Sequence, residues 1–170
     1  MFSRRMFCLA ATGLALPGAG VARAASLAIP AGPTILTISG QIGVTNAGET
    51  ALFDRAMLEA LGLTSFQTRT PWYTAPVTFE GVKMTTLMEC VQAKGEILSV
   101  TALNDYTSEI PIADFTRYHP IMALKRDGKY MEIRDKGPLF VVYPYDSAPE
   151  LQSQRFYSRS PWQIARMEVR

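Results

Sequence analysis

The fold is decided most clearly by the stretch Asp135-Lys136-Gly137-Pro138-Leu139-Phe140-Val141-Val142-Tyr143-Pro144. Its Gly-Pro turn leads into a continuous apolar run over residues 139–143, which predicts a strand. Upstream, Arg126-Asp127-Gly128-Lys129 predicts a turn between strands over residues 120–125 and 130–133. Downstream, residues 144–160 show little periodicity and predict a long surface loop, and a closing strand begins at Trp162.

The remaining segments predict further short elements. Alternating or β-rich runs predict strands over residues 35–42, 65–70, 77–79 and 97–103, with a turn at Glu80-Gly81. Helical spacing of apolar residues predicts helices over residues 50–61, ended by Gly62, and 84–93, with a helical turn at 113–115. At least seven short strands and two or three helices predict a mixed α+β domain over residues 34–170, after a linker at 25–33.

Composition and charge limit the classes of function. The 170 residues are 48% hydrophobic and 19% charged, which suits one domain with a buried core. Three of the 17 basic residues, Arg4, Arg5 and Arg23, precede Ala25 in a segment without acidic residues; the rest of the chain has 14 basic and 15 acidic residues, a net charge of −1. A nearly neutral chain is not typical of a protein that coats nucleic acid, so no nucleic-acid partner is expected.

Residues 1–24 predict an export signal. Ser3-Arg4-Arg5-Met6-Phe7 precedes a mild apolar run, and Ala22-Arg23-Ala24 has the small-x-small form of a leader-peptidase site. We therefore expect cleavage after about Ala24 and a periplasmic location. The apolar run is shorter than the ~20 residues that a membrane span needs, so membrane insertion is not expected. The paired arginines fit either a twin-arginine signal or an ordinary Sec signal.

Little metal, thiol or hydrolytic chemistry is predicted after the signal. Cys90 lies beside a helical apolar stripe of Met84, Leu87 and Met88, so a buried and inert thiol is expected. His119 is the single histidine, which excludes a multi-histidine metal site and favours a structural role. No Ser-His-Asp or paired-carboxylate spacing stands out, so nothing supports a hydrolase.

An ordered set of short motifs runs from about residue 34 to residue 169. The set comprises Leu36-Thr37-Ile38-Ser39-Gly40-Gln41-Ile42, Thr68-Arg69-Thr70-Pro71-Trp72, Phe79-Glu80-Gly81-Val82, Ala102-Leu103-Asn104-Asp105-Tyr106, Ile110-Pro111, Asp127-Gly128-Lys129, residues 135–144 and Ser160-Pro161-Trp162-Gln163-Ile164. This set resembles the molybdopterin-binding domain of the sulfite oxidase family. The resemblance implies a mixed fold of short strands with two or three helices, and a pterin cofactor held in a cleft between loops.

The chain departs from that family at the metal ligand. Family enzymes bind molybdenum through a cysteine thiolate on the segment before the Gly-Val turn, but here Gln67-Thr68-Arg69-Thr70-Pro71-Trp72-Tyr73 contains no cysteine. A threonine hydroxyl replaces a soft thiolate poorly, and Cys90 lies beyond the turn. Small exported versions without the cysteine resemble pterin-binding regulators. Those regulators dock on the periplasmic part of a membrane enzyme that makes or degrades a cyclic dinucleotide.

Two functions are therefore open. The first is an exported, non-catalytic module that binds a pterin, reduced or of the molybdopterin type, without metal, and docks on a periplasmic sensor domain of a membrane-bound signalling protein. The alternative is a molybdopterin-dependent oxidoreductase that passes electrons to a partner subunit. The missing cysteine favours the first. A twin-arginine signal favours the second, because bulky cofactors are inserted before export.

The resemblance and the shape of a pterin together indicate site residues. A pterin is a flat heteroaromatic ring with a guanidine-like edge, so it needs a stacking face and a carboxylate or amide. Trp72 is expected either to stack on the ring or to plug the core. Asn104 and Asp105 end a strand, where they either pair with the pterin edge or cap an Asx turn. Tyr106 either stacks or covers the strand end.

Two loops that the resemblance assigns to the cofactor supply the other candidates, which are Arg134, Asp135, Lys136, Arg159 and Trp162. The first three precede a Gly-Pro turn and form either a pterin-contacting loop or a solvated turn. The last two flank a Ser-Pro pair. Arg159 would suit a phosphate or polar group of the ligand, whereas Trp162 belongs either to the cofactor loop or to the core.

The predicted loop over residues 144–160 is the expected docking surface. It carries side chains of the types that are enriched in interfaces, which are Tyr145, Arg155, Phe156, Tyr157 and Arg159. By resemblance the loop lies beside the cofactor cleft, so ligand binding is expected to change the docking surface. Phe156 and Tyr157 are expected to contact the partner and not the pterin.

Overall fold

The structure is a computed structural model that describes residues 27–170. The predicted signal, residues 1–24, and the first two residues of the predicted linker lie outside the described residues. The helices and strands, in chain order, are β1 Leu36–Gly40, β2 Ala51–Phe53, α1 Arg55–Ala60, β3 Leu63–Thr70, β4 Tyr73–Lys83, α2 Met84–Cys90, β5 Ile97–Ala102, β6 Thr107–Pro111, α3 Ala113–Tyr118, β7 Ile121–Arg126, β8 Lys129–Tyr130, β9 Phe140–Val142, α4 Gln154–Ser158 and β10 Ile164–Val169.

Two sheets of five mostly short strands make up the mixed α+β fold, which confirms the predicted class. The first sheet has the order β2-β1-β10-β5-β6, with β10 parallel to β1 and antiparallel to β5. In the second, β3, β4, β7 and β8 follow one another, and β9 also pairs with β7. The apolar run around Val141 is fully buried there, as its composition predicts. Four short helices are described, against the two or three expected.

The turn predicted at Glu80-Gly81 is wrong. Strand β4 runs through both residues, and its register with β7 shifts between them. A Cβ at Gly81 would lie 2.1 Å from the Met122 carbonyl oxygen, so the glycine allows a close approach of two strands and does not mark a chain reversal.

The helix predicted over residues 50–61 is also partly wrong, because its first turn is strand β2. Ala51 and Phe53 alternate with the half-buried Leu52 and face the core from this strand. Asp54 then starts α1, where its carboxylate Oδ1 accepts a hydrogen bond from the Met57 N–H at 2.9 Å. The predicted helix end is confirmed, since Gly62 has a φ of +94°.

Residues 144–160 do not form the predicted surface loop. They contain two 3-10 turns and helix α4, and each of the three turns buries a side chain: Tyr145, Leu151 and Phe156. Because each short turn buries only one residue, the segment shows no repeating pattern of apolar residues from which these turns could be predicted. The hairpin strand predicted over residues 130–133 is likewise shorter, because only Lys129 and Tyr130 pair with β7.

No helix among residues 27–170 is both long and apolar enough to span a membrane.

Asp54 connects the linker to the first helix. Besides capping α1 through Met57, it accepts hydrogen bonds at Oδ2 from the N–H groups of Ala31 and Gly32, at 2.9 and 2.8 Å. These backbone donors, with Met57 the strongest, hold the pKa of the Asp54 carboxyl below its ordinary value of 3.8. The ionised carboxylate therefore stabilises the folded chain.

Asp54→Asn is expected to lower the melting temperature at about pH 7, because an amide is a weaker acceptor than a carboxylate. A carboxyl with a lowered folded pKa contributes stability above its ordinary value of 3.8, and this contribution is lost as the pH falls through the folded pKa. The variant should therefore lose less stability than the wild type between about pH 7 and about pH 3. Thermal unfolding across that range measures both effects.

The matched control is Glu49→Gln, at an exposed acidic residue. It should leave the melting temperature and its pH dependence nearly unchanged. If Asp54→Asn behaved like this control, the anchoring role of Asp54 would be refuted.

Candidate functional site

A cleft of about 490 Å³ opens where four segments of the chain meet. These are the β3–β4 turn, the β5–β6 turn, helix α4 and the segment before β10. The residues that line the cleft are Pro71, Trp72, Ala102, Asn104, Tyr106, Gln154, Tyr157, Ser158, Ser160, Pro161 and Trp162. Four of the predicted site residues, Trp72, Asn104, Tyr106 and Trp162, are therefore brought together.

Trp72 is both part of the core and part of the cleft wall. Its ring makes edge-to-face contacts with Phe140 at 5.3 Å, Trp162 at 5.5 Å, Tyr157 at 5.9 Å and Tyr145 at 6.1 Å between centroids. The half-buried ring also lines the cleft. The two roles predicted for Trp72, plug and binding face, are thus not exclusive in geometry.

Trp162 belongs to the same aromatic cluster and also lines the cleft. Its backbone forms an isolated antiparallel bridge with Phe140, which ties the segment before β10 to β9. The Lys136 ammonium lies 4.3 Å from the Trp162 ring centroid, a cation–π distance. Burial lowers the pKa of Lys136, and its side chain is not among those that line the cleft.

The β5–β6 turn places Asn104 and Tyr106 at the cleft while Asp105 points elsewhere. The Tyr106 N–H donates a hydrogen bond to Asn104 Oδ1 at 3.2 Å, an Asx turn of the predicted kind. Asp105 has a φ of +63°, and its 84% exposed carboxylate pairs with Arg166 at 3.0 Å. Tyr106 is 54% exposed and lines the cleft, so its side chain is accessible to a ligand there.

The charged triplet before the Gly-Pro turn does not line the cleft. Arg134 pairs with Glu132 at 2.7 Å in an exposed ion pair. Asp135 pairs with Arg126 at 2.7 Å and also accepts a hydrogen bond from the Tyr73 hydroxyl at 3.3 Å. Burial raises the pKa of that hydroxyl. These contacts join the turn to strands β4 and β7.

Arg159 is turned away from the cleft. Its guanidinium donates to Asp114 Oδ2 at 2.7 Å, and the Tyr143 hydroxyl donates to the same oxygen at 3.0 Å. Asp114 is 8% exposed, so the pair is nearly buried. The ion pair fastens the cleft-lining segment around Ser158 and Ser160 to helix α3. Arg159 therefore holds the wall in place and does not face into it.

Sequence reasoning missed the face that α4 presents to the cleft. Gln154, Tyr157 and Ser158 line the cleft from positions i, i+3 and i+4, a helical spacing that could have indicated one face. The docking surface predicted on this segment is wrong for Tyr145 and Phe156, which are only 1% and 3% exposed. Both side chains belong to the core and cannot contact a partner.

Ser160 has no free hydroxyl for nucleophilic chemistry. Its Oγ donates to the Phe156 carbonyl oxygen at 2.8 Å, so the Tyr145 hydroxyl is the donor in the bond between Tyr145 and Ser160. Burial raises the pKa of the Tyr145 hydroxyl far above its ordinary value. This buried pair anchors the residue next to Pro161 and has a structural role.

The described residues do not fit a molybdenum centre of the thiolate type. Thr68, in the segment where the family carries its cysteine, is buried, and its hydroxyl accepts a hydrogen bond from the Asp146 N–H at 3.1 Å. Cys90 is half-buried, where full burial was expected, and burial raises the pKa of its thiol. Within residues 27–170 there is no group of three or more His, Cys, Asp or Glu side chains arranged to hold a metal.

His119 lies at the C-terminal end of α3 with a φ of +52°, and its N–H donates to the Phe115 carbonyl. This is a helix-capping position, in keeping with the structural role predicted for it.

A scan of the chain against protein-family models finds no match, and a search of curated proteins finds no relative.

Arg159→Gln is expected to lower the free energy of unfolding by ~1–3 kcal/mol, because it leaves the Asp114 carboxylate nearly buried without its cation. The double variant Asp114→Asn/Arg159→Gln should recover part of that loss, since it removes the uncompensated charge. Denaturant unfolding of the three proteins measures the coupling. The matched control is Arg166→Gln, which breaks an exposed pair with Asp105 and should cost below ~1 kcal/mol. Equal costs at Arg159 and Arg166 would contradict the anchoring role.

Proposed function

We propose that this protein is an exported, non-catalytic pterin-binding module of the sulfite oxidase-type fold. Its partner would be a periplasmic sensor domain of a membrane-bound signalling enzyme. One observation carries the proposal: the two tryptophans of the chain, Trp72 and Trp162, line a single cleft together with Tyr106 and Tyr157. These residues come from three of the motifs on which the family resemblance rests and from helix α4.

The dimensions and chemistry of the cleft suit a planar heteroaromatic ring. Its volume of about 490 Å³ lies in the range of small-molecule sites. Aromatic walls offer stacking or edge-to-face contact to a ring of any orientation. The Asn104 amide adds a polar edge: its Oδ1 accepts from the Tyr106 N–H, which leaves its Nδ2 group free to donate to a ring nitrogen or carbonyl.

A binding role is better supported than a catalytic one. The segment 67–73 offers no thiolate, so the alternative of a molybdopterin-dependent oxidoreductase lacks the family's metal ligand. The hydroxyl of Ser160 is committed to the Phe156 carbonyl. The polar groups of the cleft would therefore orient a ligand without transferring a proton or electron pair to it.

The docking surface that we propose is the β5–β6 turn at the mouth of the cleft, and not helix α4. Leu103 and Tyr106 on the β5–β6 turn are 49% and 54% exposed, unlike the buried Phe156. A partner that covered this turn would contact the same element that lines the ligand site, so ligand occupancy would alter its docking surface.

Tyr106→Ala is expected to weaken the binding of reduced neopterin by about 5- to 30-fold, or ~1–2 kcal/mol, through loss of an aromatic contact. Because both tryptophans line the cleft, quenching of intrinsic fluorescence measures occupancy directly. Because Tyr106 is exposed, its replacement should not unfold the protein, so weaker binding would reflect the lost contact. An unchanged melting temperature of the variant would verify this.

Tyr130→Ala is the matched control, since Tyr130 is also exposed and lies outside the cleft. It should leave the affinity within about twofold of wild type. If folded protein showed no saturable response to any pterin, the proposed function would be overturned. Equal losses in the two variants would place binding outside the cleft.

A further inference from the structure

We infer that the cleft selects an uncharged ring ligand and rejects one that carries a phosphate. This inference rests on the proposed pterin-binding function and narrows it. Of the two kinds of pterin expected from the sequence, the cleft would bind a phosphate-free pterin in preference to a molybdopterin-type molecule, whose side chain ends in a phosphate.

The lining of the cleft carries no charged side chain. Its walls are aromatic rings, prolines and an alanine, and its polar groups are the amides of Asn104 and Gln154 and the hydroxyl-bearing residues Ser158 and Ser160. A neutral ring can exchange its water for these groups at little cost. An ion would lose its hydration without gaining a counter-charge.

None of the three cations that sequence reasoning assigned to the ligand, Arg134, Lys136 and Arg159, lines the cleft. Arg159 is paired with Asp114 at 2.7 Å, with its side chain only 16% exposed, so a ligand phosphate would have to break that pair. Lys136 lies against the Trp162 ring, outside the lining. Arg159 is therefore committed to Asp114, and Lys136 is not among the lining side chains, so the lining itself supplies none of the short, charge-assisted hydrogen bonds by which phosphates are held.

The N-terminus of α4 does not replace the missing cation as a phosphate site. Gln154 begins α4 and lines the cleft, but α4 has only five residues. A helix of that length has few aligned peptide dipoles, so it provides no anion site of its own.

The cleft is also unfavourable for a cationic ligand, because no carboxylate lines it. Asp105 is paired with Arg166 on the surface, and Asp114 is committed to Arg159 and Tyr143. Neither carboxylate lines the cleft. The ring would therefore be bound in its neutral form, with the Gln154 amide oxygen available to accept from its amino edge.

The test compares two ligands with the same ring, reduced neopterin and reduced neopterin triphosphate, on the full chain by tryptophan fluorescence and calorimetry. We expect the phosphorylated ligand to bind at least about 10-fold more weakly. Equal or tighter binding of the triphosphate would overturn this inference and leave the proposed function standing. Failure of both ligands and of every other pterin tested to bind would overturn the proposed function and the inference with it.

A gain-of-function variant makes the test independent of folding losses. Gln154→Lys places a cation in the lining and is expected to raise the ratio of triphosphate affinity to neopterin affinity about 5- to 10-fold. Gln67→Lys on β3, exposed and outside the cleft, adds the same charge as a control. An equal gain in both variants would show that net charge governs binding, and would overturn the inference.

Discussion

The contacts of the Trp72 ring are the interaction on which the rest of the site depends. Trp72 lies on the turn between β3 and β4 in one sheet, while Trp162 lies two residues before β10 in the other. Their centroids are 5.5 Å apart in an edge-to-face contact, with Phe140 and Tyr157 against the same ring. Each such contact is worth about 0.5–1.5 kcal/mol beyond the burial of area. The cluster therefore fixes the positions of three of the four segments that border the cleft.

The chain topology explains why the cleft forms only in the complete fold. The last strand, β10, lies in the middle of the first sheet between β1 and β5, so this sheet cannot be completed before the end of the chain is in place. The same strand positions Trp162, and the nearly buried pair of Asp114 with Arg159 then holds the preceding segment against α3. Long-range pairing thus assembles a site whose lining residues span from Pro71 to Trp162.

Local chemistry made part of the fold predictable from sequence. The apolar run at 139–143, the stripe of Met84 and Leu87 on α2, and the glycine that ends α1 all depend on neighbours in the sequence. Sequence reasoning did not predict the helix start at Asp54 or the burial of side chains in residues 144–160. Both depend on elements of three to five residues, which are too short to show a periodic pattern of apolar residues. Gly81 was misread because a close strand approach and a turn require the same residue.

Part of the cleft lining was predictable from sequence. Trp72, Asn104 and Tyr106 line the cleft, as aromatic and amide residues on loops suggested, and Trp162 lines it at a loop that the family resemblance indicated. Two of the charged candidates, Asp105 and Arg159, could not be placed, because their partners lie far away in the sequence. Asp105 pairs with Arg166 across 61 residues, and Arg159 with Asp114 across 45. Only the fold reveals that these charges satisfy each other.

A crystal structure of the protein with bound reduced neopterin would show whether the aromatic cleft is the ligand site. We expect the ring to lie in the cleft against Trp162 and Tyr106, with an atom of the Asn104 amide within hydrogen-bond distance. A ring bound elsewhere, for example in the smaller cavity of about 270 Å³ lined by Arg126 and Tyr130, would contradict it.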